Sequence, residues 1–84
     1  MELKDTVNGM ISDDYKERFK AEYIQLDTRL NKLKDILNKY AKNTLDFTPK
    51  SSIELLIAQA KCMEEYKDIL RERAAQEEIN IDLF

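Results

Sequence analysis

Seven apolar residues set an uninterrupted heptad seam in the first half of this chain. Phe19, Tyr23, Leu26, Leu30, Leu33, Leu37 and Tyr40 recur at spacings of 4, 3, 4, 3, 4 and 3. Alternating three- and four-residue steps return side chains to one stripe of an α-helix, whereas a strand repeats every second residue. The seam predicts a first helix over about residues 13–40. At about 1.5 Å per residue such a helix is about 42 Å long. Ser12 offers an N-cap hydroxyl, and Asp13 and Asp14 suit the positive end of the helix.

A second helix is predicted over about residues 49–78, after a loop at 41–48 that holds Asn43, Thr44 and Asp46. Thr48-Pro49 reads as an N-cap with proline at the first helical position, and Ser51 with Glu54 offers a capping box nearby. Its apolar residues are Ile53, Leu56, Ile57, Ala60, Met63, Tyr66, Ile69, Leu70 and Ala74. That face is wider than one stripe, so the helix is expected to meet a second neighbour beside its hairpin partner. Glu77 and Glu78 place acid at the negative end of the helix, an unfavourable close. Residues 1–11 form an N-terminal arm without sustained period, with a turn signal at Asn8-Gly9. Residues 79–84 alternate apolar and polar, the pattern of a short extended tail. The fold class is therefore all-α: two long antiparallel helices in a hairpin spanning residues 12–78, assembled into a homo-oligomeric helical bundle.

Oligomerisation follows from size. A chain of 84 residues buries only about 60–65% of its unfolded surface. Chains this short are usually supported by disulfides, metals or partner subunits. Cys62 is the sole cysteine and histidine is absent, which leaves a partner subunit. On a lone hairpin Ile24, Ile36, Ile57 and Ile69 stay uncovered at the edges of the seam. Cys62 itself falls on the apolar side of the second helix, where a buried, inert thiol is expected.

Several functions are disfavoured by composition. No histidine is present to activate a nucleophile, no acidic loop spaced for a metal, and the single glycine leaves no phosphate loop. Adjacent carboxylates such as Asp13/Asp14 and Glu64/Glu65 diverge by about 100° on a helix, so acid–base chemistry has no converging pair. The expectation is a binding protein, not an enzyme, with no cofactor and no metal. A net charge of −3 gives no general pull toward DNA or RNA. No apolar run reaches the ~18 residues of a membrane span. With no signal-peptide core after Met1 and one cysteine, the expected location is a reducing cytoplasm. Residues 15–50 hold nine basic and five acidic side chains and residues 64–84 hold three and seven, so antiparallel helices set opposite charges side by side.

One cluster points to a ligand. Lys16 and Lys20 stand one turn apart at the start of the first helix, with Tyr15, Arg18 and Phe19 beside them. Cations next to rings hold a phosphate while a ring stacks on a base, and backbone N–H groups at a helix start favour an anion. Arg71 and Arg73 near the end of the second helix repeat the theme, and hairpin geometry brings both clusters to the open end.

Here the sequence resembles a known family. Arg18-Phe19-Lys20-Ala21, and the stretch from Ala58 through Met63, Tyr66, Leu70 and Arg71 to Ala75-Gln76, are similar to the phage anti-CBASS cyclic-oligonucleotide sponges. Their helical hairpin is shared with part of an anti-Thoeris sponge. Thr44-Leu45-Asp46-Phe47-Thr48-Pro49-Lys50 with the helix after it resembles small uncharacterised proteins of phages of Gram-positive hosts. The likeness spans about residues 11–76. It implies a homohexamer that sequesters cyclic di- or trinucleotide signals in pockets between protomers without hydrolysing them. It also implies that Lys20 contacts a ligand phosphate, Arg18 assists and Arg71 lines the inter-subunit pocket. The family's base-stacking tyrosine lies upstream of the first helix, where this sequence has none; Tyr15 is the nearest replacement, and Met10 and Ile11 offer only apolar contact.

Two other readings suit the same helices. One is a small inhibitor or adaptor, for example of anti-CRISPR type, that docks on a host protein. The other is a ligand-free coiled-coil oligomer.

Overall fold

The computed structural model describes residues 2–81. Their regular structure is helical throughout, with no strand among the described residues. A 3₁₀ turn at Leu3–Thr6 runs into a single α-helical turn, α1 (Val7–Met10), and two long helices follow, α2 (Tyr15–Ala41) and α3 (Ile53–Gln76). The whole is an elongated body of 43 × 24 × 20 Å. Tyr15 meets Glu77, Tyr23 meets Arg71, Asp27 meets Lys67 and Lys34 meets Glu64. Residue numbers fall along α3 as they rise along α2, so the two helices pack antiparallel.

The start of α2 differs from the sequence expectation by two residues and that of α3 by four, for a local reason. Asp14, not Ser12, caps α2, its carboxylate accepting from the Lys16 N–H at 2.9 Å. The Ser12 hydroxyl serves one step earlier, accepting from the Asp14 N–H at 3.1 Å. Ser52 caps α3, accepting from the Leu55 N–H at 3.2 Å, so helix begins four residues past Pro49 and two past Ser51. Pro49 and Ser51 stay in the connection between the helices.

Both long helices end in the same way. Past α2, Asn43 is left-handed (φ 58°), and the Thr44 N–H returns to the Lys39 carbonyl at 2.8 Å. Past α3, Glu78 is left-handed (φ 56°), and the Ile79 N–H returns to the Ala74 carbonyl at 2.8 Å. These are Schellman closures, in which a left-handed residue lets the chain double back on its last carbonyls. The second one folds Ile79 into the core.

The core lies toward the open end of the hairpin. Phe19, Leu26, Leu70, Ala74 and Ile79 form one buried cluster, with Tyr23, Met63 and Ile81 packed against it. Leu30 and Ala60 continue it along the interface. The tail therefore packs at Ile79 and Ile81; the alternation expected over its last three residues, 82–84, lies outside the described residues. Cys62 corrects the sequence expectation: it is exposed, on the flank of α3 and not in the seam.

The N-terminal segment is docked on α2. Thr6 is buried; its hydroxyl donates to the Leu3 carbonyl at 2.7 Å and accepts from Gln25 Nε2 at 2.9 Å. Gly9 is inside α1, and its role is close approach: a Cβ built there would sit 2.9 Å from the Ala21 Cβ. Thus Asn8-Gly9 marks a helix–helix contact, where the sequence suggested a turn.

Candidate ligand site

The open end gathers a polar network around Tyr15. Its hydroxyl donates to Glu77 Oε1 at 2.7 Å and accepts from Arg73 Nη2 at 2.6 Å. Arg73 Nε donates to the second oxygen of Glu77 at 3.0 Å. The Arg73 guanidinium also lies over the Phe19 ring, 5.0 Å from its centroid, and Tyr15 tilts against the same ring at 6.4 Å. The Tyr15 O–H and the Arg73 guanidinium hold the Glu77 carboxyl below the usual carboxylate range. The accepting Glu77 carboxylate in turn raises Tyr15, and the same carboxylate raises Arg73. Glu77, unfavourable at a helix C-terminus when read alone, is the acceptor that ties the start of α2 to the end of α3. The signal for it was a tyrosine and an arginine brought near by antiparallel pairing.

Arg71 lies one helical step away. Its Nε donates to the Tyr23 hydroxyl at 3.0 Å, and this bond raises the guanidinium further. With Ala74, Ala75, Ile79, Asn80 and Ile81 it lines a shallow hollow of about 430 Å³. Tyr23 was legible only as a seam residue; its ring packs against the core while its hydroxyl serves this arginine.

The remaining basic residues point elsewhere. Arg18 Nη1 donates to the Ser12 carbonyl at 2.7 Å, closing the turn before α2. Lys16 is exposed. Lys20 is half-buried on the side that faces the N-terminal segment, in a hollow of about 190 Å³ lined by Asp5, Thr6, Gly9, Glu17, Ala21 and Ile24. The two ends of the sequence meet here in part: Tyr15 and Phe19 meet Arg73, while Lys20 and Arg71 line separate hollows. Binding pockets for small molecules usually enclose ~300–1,000 Å³. The hollow at Lys20 is too small to enclose a nucleotide by itself.

Lysines bind across the helix interface with either polarity. Lys34 pairs with Glu64, in the direction that the uneven charge division implies, whereas Lys67 pairs with Asp27 against it. Tyr66 donates to Glu22. No group of His, Cys, Asp or Glu suited to a metal ion occurs among the described residues, and none of their helices is long and apolar enough to cross a membrane.

A family model, Sequestin, matches residues 13–76. This chain belongs to the Sequestin family. Sequestins are phage anti-CBASS and anti-Thoeris cyclic-nucleotide sponges, the family that the motifs at Arg18–Ala21 and Ala58–Gln76 resemble. They are binding proteins rather than enzymes. The Sequestin match begins one residue before the Asp14 cap and ends with the last residue of α3, so it takes in both long helices and their loop. The docked N-terminal segment and the packed tail lie outside it. No curated protein and no solved structure matches the chain.

Proposed function

We propose that this protein is a phage-encoded sponge that binds cyclic di- or trinucleotide immune signals in the host cytoplasm and holds them without cleavage. The observation that carries this reading is the family match across both long helices. The geometry supports it in three ways. Lys16 and Lys20 on α2, and Arg71 on α3, supply cations for phosphates, and Tyr15 at the start of α2 offers an exposed ring for a base. The hollows are open and shallow, as halves of a pocket completed by another protomer would be. On α3, Leu55, Ile57, Tyr66 and Ile69 stay exposed, an apolar flank for neighbouring protomers in a homo-oligomer such as the family's hexamer.

In this arrangement Lys20 compensates a ligand phosphate and Lys16 adds a second ammonium one turn earlier. Arg18 assists once it exchanges the Ser12 carbonyl for ligand, and Arg71 lines the pocket from α3. Nothing in the set activates water, so ligand leaves intact.

Calorimetry with a panel of cyclic di- and trinucleotides tests the proposal. Wild type should bind at least one, and heat-released ligand should have an unchanged mass. Lys20→Ala should weaken binding by roughly 10- to 150-fold, the loss of one charge-assisted hydrogen bond of ~1.5–3 kcal/mol. No binding by wild type across the panel would favour an inhibitor that docks on a host protein.

A further inference from the structure

Lys20, half-buried beside two carboxylates, is not a bare anion receptor. Asp5 and Glu17 line its hollow, so the one ammonium there faces two negative charges. The carboxylates differ in what else they do. Asp5 accepts from the Glu2 N–H at 3.0 Å and forms the reciprocal cap of the first 3₁₀ turn. Glu17 is at the third position of α2, where a glutamate commonly reaches back to the cap residue's N–H. Here the Ser12 hydroxyl already occupies the Asp14 N–H, and Glu17 turns along the helix toward Lys20. Glu17 Oε1 is 4.0 Å from Lys20 Nζ, at the outer limit of an ion pair, with its side chain 53% exposed and that of Lys20 27% exposed.

We infer that Glu17 is an affinity-limiting residue, a displaceable counter-charge that an anionic ligand must outcompete to reach Lys20. This rests on the sponge reading above and adds a term that the reading lacks. A phosphate arriving at Nζ comes within several ångströms of the Glu17 carboxylate. Electrostatic repulsion at that range, in partly exposed surroundings, is moderate and screened by salt. Ligands carrying dense charge therefore lose more affinity to Glu17 than cyclic phosphodiesters, in which each phosphate bears a single charge. Glu17 acts through Lys20 and not by contact with ligand, so removing Lys20 should remove its influence.

The test is a double-mutant cycle of Glu17→Gln, Lys20→Ala and the combined variant, titrated with the same cyclic nucleotide panel at low and high salt. Glu17→Gln should bind about three- to tenfold more tightly than wild type at low salt. The gain should shrink at high salt and vanish in the Lys20→Ala background. Glu17 is largely exposed and caps nothing, so circular dichroism should show the same fold and a similar melting temperature for the glutamine variant. Equal or weaker binding by Glu17→Gln, with wild type binding, would overturn the inference alone. A gain of the same size without Lys20 would also overturn it. Absence of binding by every variant and by wild type would overturn both the inference and the sponge reading.

Discussion

The two ends of the hairpin both carry large apolar side chains and bury them very differently. At the open end Phe19, Leu70, Ala74 and Ile79 close into one cluster. At the loop end Tyr40 is 48%, Phe47 53% and Leu55 62% exposed. The difference is a third wall. Two helices share one interface, and an apolar face wider than one stripe is covered only where another segment arrives. The tail supplies it through Ile79, and the N-terminal segment adds cover through Thr6 and Gly9. At the loop end the connection gathers Leu45, Phe47 and Pro49 around Tyr40 without burying it. The contrast separates the end that the chain buries by itself from the end that it leaves exposed.

The sharpest way to break this contrast is to empty the packed end. Leu70→Ala and Leu30→Ala remove fully buried side chains and should destabilise by ~2–5 kcal/mol in urea unfolding. Leu33→Ala should lose clearly less, because Leu33 is only half-buried. Equal losses at Leu30 and Leu33 would mean that the seam is buried evenly and the contrast is wrong.

Gly9→Ala comes next. The new methyl would meet the Ala21 Cβ at 2.9 Å, so the N-terminal segment must lift off α2. Overpacking of this kind costs about 1–3 kcal/mol. Hydrogen exchange should speed up at the amides of α1 while those in the middle of α3 keep their protection.

The network at the open end gives a smaller, pH-dependent effect. Tyr15 and Arg73 depress the Glu77 carboxyl, so its contribution is present above the ordinary glutamate pKa, ~4.3, and is lost as pH falls through the lower folded value. Tyr15→Phe removes the first of those donors. Melting temperatures measured from pH 6 downward should fall less steeply on the acid side in the variant. Parallel acid limbs for variant and wild type would show that the Tyr15–Glu77 bond does not hold the two helices together in solution.

The least effect is expected at the loop end. Tyr40→Ala should change the stability of the unassembled chain by no more than ~0.5 kcal/mol, because the ring is half in water already. A loss comparable to that at Leu70 would mean that Tyr40 is covered in solution by another protomer.

Periodicity was enough to locate both long helices, because spacings of three and four need only sequence neighbours to be read. It could not grade burial along the seam: Leu30 and Tyr40 both belong to it, yet Leu30 is fully buried and Tyr40 is 48% exposed. The caps moved because hydroxyls and carboxylates compete for the same few N–H groups, and Ser12 and Asp14 divide them. Lys34, off the heptad seam, reaches Glu64 across the interface. In the candidate site, Tyr15 and Arg73 were visible as chemistry but Glu77 was not, since its value depends on a residue 62 positions away. The separation of Lys20 from Arg71 depends on the docked N-terminal segment, whose residues carry no periodic signal.

Ile79 has a consequence for the order in which this molecule comes together on the ribosome. Its contact partners include Phe19, sixty positions earlier, and the left-handed Glu78 aims it there. The buried cluster it joins is thus strongly non-local, while the side chains nearest the turn, which meet first by proximity, stay about half exposed. Closing a long loop before gaining its contacts slows folding. A nascent chain stalled with α2 and the first half of α3 outside the exit tunnel should therefore remain sensitive to protease. Protection should appear in one step, when Ile79 emerges and the open end shuts.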